Sequence, residues 1–138
     1  MLPLLPSSTQ YKVNSLGPIH AITAFLPLLR ASDTKNIIVI GSGAADPKTA
    51  LAGSVPNFLA YSMTKAAALV ATTKFAVKLR DEGFVVVTFC PGRVDCSATL
   101  SAECRKALVE IRKVSSSMED HFGAEMALQS PEASVGRS

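Results

Sequence analysis

The chain has no tryptophan and only two tyrosines among its 138 residues. Aromatic residues make up 6% of it, while 48% of positions are hydrophobic, so the apolar material is mostly Ala, Leu and Val. That balance suits a globular α/β protein. There is no run of basic residues: the formal charge is +3 and its cations are interleaved with acids, which argues against a nucleic-acid surface. The three cysteines, Cys90, Cys96 and Cys104, are an odd number without metal-type spacing, so reduced thiols in a cytoplasmic protein are expected and no metal site. The apolar start Met1-Leu2-Pro3-Leu4-Leu5-Pro6 has no basic flank and is too short for a signal peptide or a membrane span. Internal repeats and low-complexity tracts are missing as well.

What is present alternates in period. Val13, Leu16, Ile19, Ile22, Phe25, Leu26 and Leu29 recur at threes and fours, predicting a helix from Ser7 to about Arg30 with a kink or break at Pro18 and Pro27. Asn36–Ile40 is a short β-branched run, read as a parallel strand covered on both faces and ending in Gly41-Ser42-Gly43. Residues 44–55 read as a loop. A long helix rich in small residues follows from Pro56 or Asn57 to Glu82, stopped by Gly83. Phe84–Phe89 is a second buried-type strand closed by Cys90-Pro91-Gly92. Helices are expected over about 98–114 and 118–128, with another opened by Ser130-Pro131. Helix, strand, helix, strand and helices imply right-handed crossovers and a parallel sheet, an α/β class in a single domain.

Within that order one constellation carries chemistry. Tyr61 and Lys65 are four apart and share a helix face. A tyrosine ordinarily titrates at about 10, and a neighbouring ammonium favours its phenolate. Such a pair gives and takes a proton near neutral pH. Ser42 ends the preceding strand and Pro91-Gly92 follows the next one, so all three pieces fall at the carboxyl ends of strands, where open α/β sheets bind ligands. His20, on the apolar stripe, reads as a packed core or interface residue, and His121 as a solvated one.

The arrangement resembles the short-chain dehydrogenase/reductase family, nearest its carbonyl-reductase-like, sniffer-like branch, over about residues 7–135. Asn14-Ser15-Leu16-Gly17 looks like the family's Asn-x-x-Gly, Ile37–Gly43 like its serine strand, Tyr61–Lys65 like its catalytic pair and Pro91–Val94 like its cofactor loop. The resemblance implies roles. Tyr61 would protonate a carbonyl oxygen, Lys65 would lower the tyrosine pKa and hold ribose hydroxyls, and Ser42 would hydrogen-bond the substrate oxygen. Asn14 would orient a water beside Lys65, and Pro91, Gly92 and Val94 would place the nicotinamide. The implied cofactor is NADP or NAD and the substrate a small carbonyl or alcohol. The helices holding Asn14 and Lys65 would form a homo-oligomer contact, with no nucleic acid and no membrane as partner.

The sequence departs from that pattern in three places. Ser42 and Tyr61 are 19 positions apart, longer than is usual, which fits an insertion in the loop at 44–55. Asp95 or Cys96 stands where a threonine is common. No Gly-x-x-x-Gly-x-Gly turn occurs, so the pyrophosphate cradle is missing and residues 1–6 form an atypical start. The chain is therefore expected to be the catalytic portion of such an enzyme, truncated at both ends, or a non-catalytic member that associates with a full-length relative.

Overall fold

The computed structural model describes residues 8–52, 58–95, 98, 129 and 130. It divides into two compact units, Met1–Asp46 with Phe58–Cys90, and Pro47–Asn57 with Pro91–Ser138. The helices expected over about 98–114 and 118–128, and the one after Ser130, fall outside the described residues apart from Ala98 and Ser130.

The first unit begins with α1 (Ser8–Tyr11), a π-helical turn (Lys12–Leu16) and α2 (Gly17–Arg30). One helix was expected here with a kink or local break at Pro18 and Pro27, and the two prolines behave differently. Pro18 lacks the N–H that an α-turn would give to the carbonyl of Asn14. The chain widens into the π-turn just before it, with the Gly17 amide donating to the Lys12 carbonyl, and Pro18 then sits in the first turn of α2 where no amide is needed. Pro27 lies inside α2 and does not break it. Pro27 and Thr23 are both exposed, so the hydrogen bond that Pro27 cannot donate would fall on the solvent side.

β1 (Asn36–Ile40) and β2 (Val85–Phe89) pair in parallel, Asn36 opposite Val85 and Ile40 opposite Phe89. A 3-10 turn at Gly43–Ala45 follows β1, and α4 (Leu59–Leu79) leads back toward β2. α4 presents Ala60, Thr64, Ala68, Thr72 and Leu79 inward, and those mostly small side chains let the π-turn and the sheet approach closely. The helix tightens into a 3-10 turn at Arg80–Glu82 and ends at Gly83 with φ of 80°, the left-handed stop that glycine permits. The core gathers Ile22, Ile37, Val39, Leu79 and Phe84, with Leu26, Leu29, Phe75 and Val86 packed around it.

Two expectations need correcting. The strands were read as covered on both faces, but Ile38, Ile40, Val85 and Phe89 are 64%, 55%, 56% and 52% exposed. Only the face toward α2 and α4 is buried among the described residues. The segment at 44–55, read as a loop, holds α3 (Pro47–Ala52), which lies in the second unit.

An ion-pair clamp ties the end of α2 to the end of α4. Arg30 donates from Nε and Nη2 to the two Glu82 carboxylate oxygens at 2.6 and 2.7 Å. The hydrogen bond from Arg30 holds the Glu82 carboxyl below its ordinary range. Lys35 donates to the Glu82 carbonyl at 2.9 Å and lies over the Phe84 ring.

Candidate active site

The carboxyl end of β1 leads directly into Gly41 and Ser42. Gly41 is buried, and its amide donates to the Phe89 carbonyl at 2.7 Å. A Cβ there would stand 2.3 Å from Thr88 Cγ2, which only a shift of Thr88 could relieve. Gly41→Ala is accordingly expected to cost about 1–3 kcal/mol, with much of the loss recovered in the Gly41→Ala, Thr88→Ala double variant. Urea unfolding of the three proteins measures it, and equal losses in the single and double variants would show that the contact is not the cause.

Ser42 has extended backbone and caps the 3-10 turn, its Oγ accepting from the Ala44 amide at 3.2 Å. The next amide, Gly43, donates to Cys90 Sγ at 3.3 Å. The turn carrying Ser42 is thus pinned to the end of β2 by a side chain, a contact that sequence reading missed because nothing in a lone cysteine signals it. Cys90 is a free, exposed thiol.

Tyr61 lies in the first turn of α4, with 36% of its surface exposed. Lys65 stands one turn on, its Nζ 5.9 Å from the centre of the Tyr61 ring, at the outer reach of a cation–π contact. The same Nζ donates to the carbonyl of Ile40 at 2.9 Å. Ile40 is the last residue of β1, two before Ser42. One ammonium therefore touches the tyrosine helix and the serine strand together.

Asn14 belongs to the π-turn and does not bond Lys65 directly. Its Nδ2 donates to Thr64 Oγ1 at 3.2 Å, and its neighbour Ser15 donates to the Thr64 carbonyl at 3.0 Å. Thr64 is fully buried and its hydroxyl donates to the Tyr61 carbonyl at 2.8 Å. No residue pattern singles out Thr64, since Thr72 and Thr73 also bond back to their own helix.

Pro91, Gly92 and Val94 fall in the second unit. There Gly92 has φ of 79°, and Val94 forms a parallel bridge with Gln129. The bridge is closed by the Asp95 amide donating to the Gln129 carbonyl at 2.7 Å and the Gln129 amide donating to the Arg93 carbonyl at 2.8 Å. Asp95 is described here; Cys96 is not. His20, read as a packed core or interface residue, is exposed in this chain and so not part of its core. Among the described residues no cluster of His, Cys, Asp and Glu could hold a metal ion, and no helix is long and apolar enough to cross a membrane.

Residues 7–107 match the profile of the short chain dehydrogenase family. The chain belongs to that family. It is 39% identical over 87 residues to the short-chain dehydrogenase/reductase atnB of an Arthrinium species, an overlap of 63% of this chain and 33% of the relative. It is 36% identical over 106 residues to an uncharacterized oxidoreductase of Schizosaccharomyces pombe, covering 72% of this chain and 40% of that one. With the short-chain dehydrogenase/reductase iacC of Pestalotiopsis fici it shares 33% identity over 89 residues, 64% of this chain and 33% of the relative. The matches to these curated relatives span about a third to two fifths of their length. The two-stranded parallel sheet with its flanking helices is part of the Rossmann-like α/β fold of short-chain dehydrogenases.

Proposed function

We propose that this chain carries the proton-transfer end of an NAD(P)-dependent oxidoreductase site for carbonyl and alcohol substrates, of the carbonyl-reductase-like branch. The observation that supports it most is the position of Lys65, over Tyr61 and fastened to the strand end that leads into Ser42. In this reading Tyr61 gives its hydroxyl proton to the carbonyl oxygen, or receives one in the reverse direction. Lys65 favours that transfer by holding positive charge beside the ring. Ser42 donates to the substrate oxygen and stabilises the charge that develops there. Asn14 orders the polar surroundings of Lys65 from the π-turn.

The chemistry of the donor set fits one end of a nicotinamide cofactor. The Lys65 ammonium and the Tyr61 hydroxyl suit ribose hydroxyls; the holding of the nicotinamide by Pro91, Gly92 and Val94 rests on the sequence resemblance alone. NADP or NAD, when bound, supplies or accepts the hydride. The pyrophosphate end is not matched, because no Gly-x-x-x-Gly-x-Gly turn occurs in the sequence. The free Cys90 thiol suits a reducing compartment such as the cytoplasm.

Titration of the purified chain with NADPH tests this division of labour. Binding weaker than about 1 mM, under roughly 4 kcal/mol, is expected, and micromolar binding would overturn it.

A second reading has support of its own, in which the chain acts by association. Leu59, Met63, Val70 and Val77 of α4 are 48%, 48%, 59% and 59% exposed and follow the spacing of a helix-pairing seam. Self-association through the helices holding Asn14 and Lys65, or pairing with a full-length relative, would cover them. Co-purification of a relative with a cofactor-silent chain favours this reading; a monomer at all concentrations opposes it.

A further inference from the structure

We propose that Thr64 positions the Tyr61–Lys65 pair by fastening the first turn of α4 to the π-turn. The inference rests on the proton-transfer reading above and adds a residue to it. The start of α4 needs an external hold. Phe58, just before it, has φ of 65° and makes no side-chain cap, and a bulky residue in that region is strained. Tyr61 is only the third residue of the helix, where an uncapped end frays.

Thr64 supplies the hold from inside. Its hydroxyl is used in both directions, accepting from Asn14 Nδ2 and donating to the Tyr61 carbonyl. Its own carbonyl accepts from Ser15 Oγ. Ser15 is 2% exposed and Thr64 fully buried, so solvent does not compete for these bonds. Thr72 is the internal comparison. It is just as buried, but its hydroxyl bonds only the Ala68 carbonyl of its own helix. Two ties from another element converge on the residue between Tyr61 and Lys65 in the same turn. Asn14 then acts on the pair through Thr64, and the π-turn brings it within reach.

The test uses the chain with Tyr11→Phe, which leaves Tyr61 as its single tyrosine in a protein without tryptophan. The ultraviolet absorbance of the phenolate is followed through alkaline pH, with circular dichroism reporting the fold. Lys65→Met is expected to move the transition to higher pH. Thr64→Val, close in shape but without the hydroxyl, should move it the same way, while Thr64→Ser should leave it in place. If Thr64→Val does not fold, Asn14→Ala removes the same hydrogen bond from the other side and should give the same displacement. A transition that responds to Lys65→Met but not to the loss of the Asn14–Thr64 bond overturns the proposal. A transition indifferent to Lys65→Met overturns the proton-pair reading, and Thr64's part with it.

Discussion

In the proposed proton-transfer reading, the turnover of a carbonyl substrate that the chain supports at saturating NADPH is expected to fall by about 10²–10⁴-fold on Tyr61→Phe, the usual range for removing a positioned general acid. The substitution deletes one oxygen and keeps the ring. Tyr61 is 36% exposed and takes no part in the core cluster of Ile22, Ile37, Val39, Leu79 and Phe84, so the unfolding midpoint should move little. Lys65→Met should lower turnover too, but it also removes the bond to the Ile40 carbonyl and is expected to loosen the turn at Ser42. The two variants therefore differ in stability as well as rate. Steady-state kinetics beside urea unfolding separates them. Full turnover in folded Tyr61→Phe would remove the tyrosine from the chemistry.

The largest effect on stability is expected at Leu79. It is fully buried at the end of α4, in one cluster with Ile22 of α2, Ile37 and Val39 of β1 and Phe84 just before β2. Leu79→Ala should cost about 2–5 kcal/mol, the transfer of the lost methyls plus the cavity left behind. The described sheet has two strands, and small domains of that kind hold a narrow margin, so the variant is expected to be largely unfolded at room temperature. Leu28→Ala is the control. Leu28 is 68% exposed on the same sheet-flanking layer, and its loss should stay within about 0.5 kcal/mol. Chemical denaturation followed by circular dichroism measures both. Equal, small effects at the two positions would mean that the core is not where the packing puts it.

The open faces bear on handling as well as on partners. A groove of about 440 Å³ runs between α2 and β1, lined by Pro18, Ala21, Ile22, Phe25, Leu29 and Asn36–Val39. β1 pairs with β2 alone among the described residues. An apolar strand edge of that kind pairs readily with other chains.

Much of the first unit was legible because its signals are local. The β-branched run Asn36–Ile40 became β1 at the same residues, and Gly83 ended α4 as its freedom at positive φ allows. Tyr61 and Lys65 were legible as one helix face because four residues make about one turn. The π-turn at Lys12–Leu16 was only half legible: Pro18 signalled a disturbance, but not whether the helix would break, kink or widen. Pro27 gave the same signal and produced no break, since only the solvent side lost a bond.

Contacts between distant residues decided the remainder. That Lys65 reaches the Ile40 carbonyl, 25 residues away, and Asn14 reaches Thr64, 50 away, depends on how helices and strands pack, and no spacing rule encodes it. The exposure of Ile38 and Val85 is likewise invisible in an apolar run, because a run states that a strand is sticky and not which layers are there to cover it. Composition, periodicity and the Tyr61-x-x-x-Lys65 motif were enough for the α/β class, the order of α2, β1, α4 and β2, and the candidate proton donor. Packing alone assigned the lysine its carbonyl, the asparagine its threonine and the Ser42 turn its cysteine, because a hydrogen bond needs two groups within about 3 Å and only the folded chain brings them there.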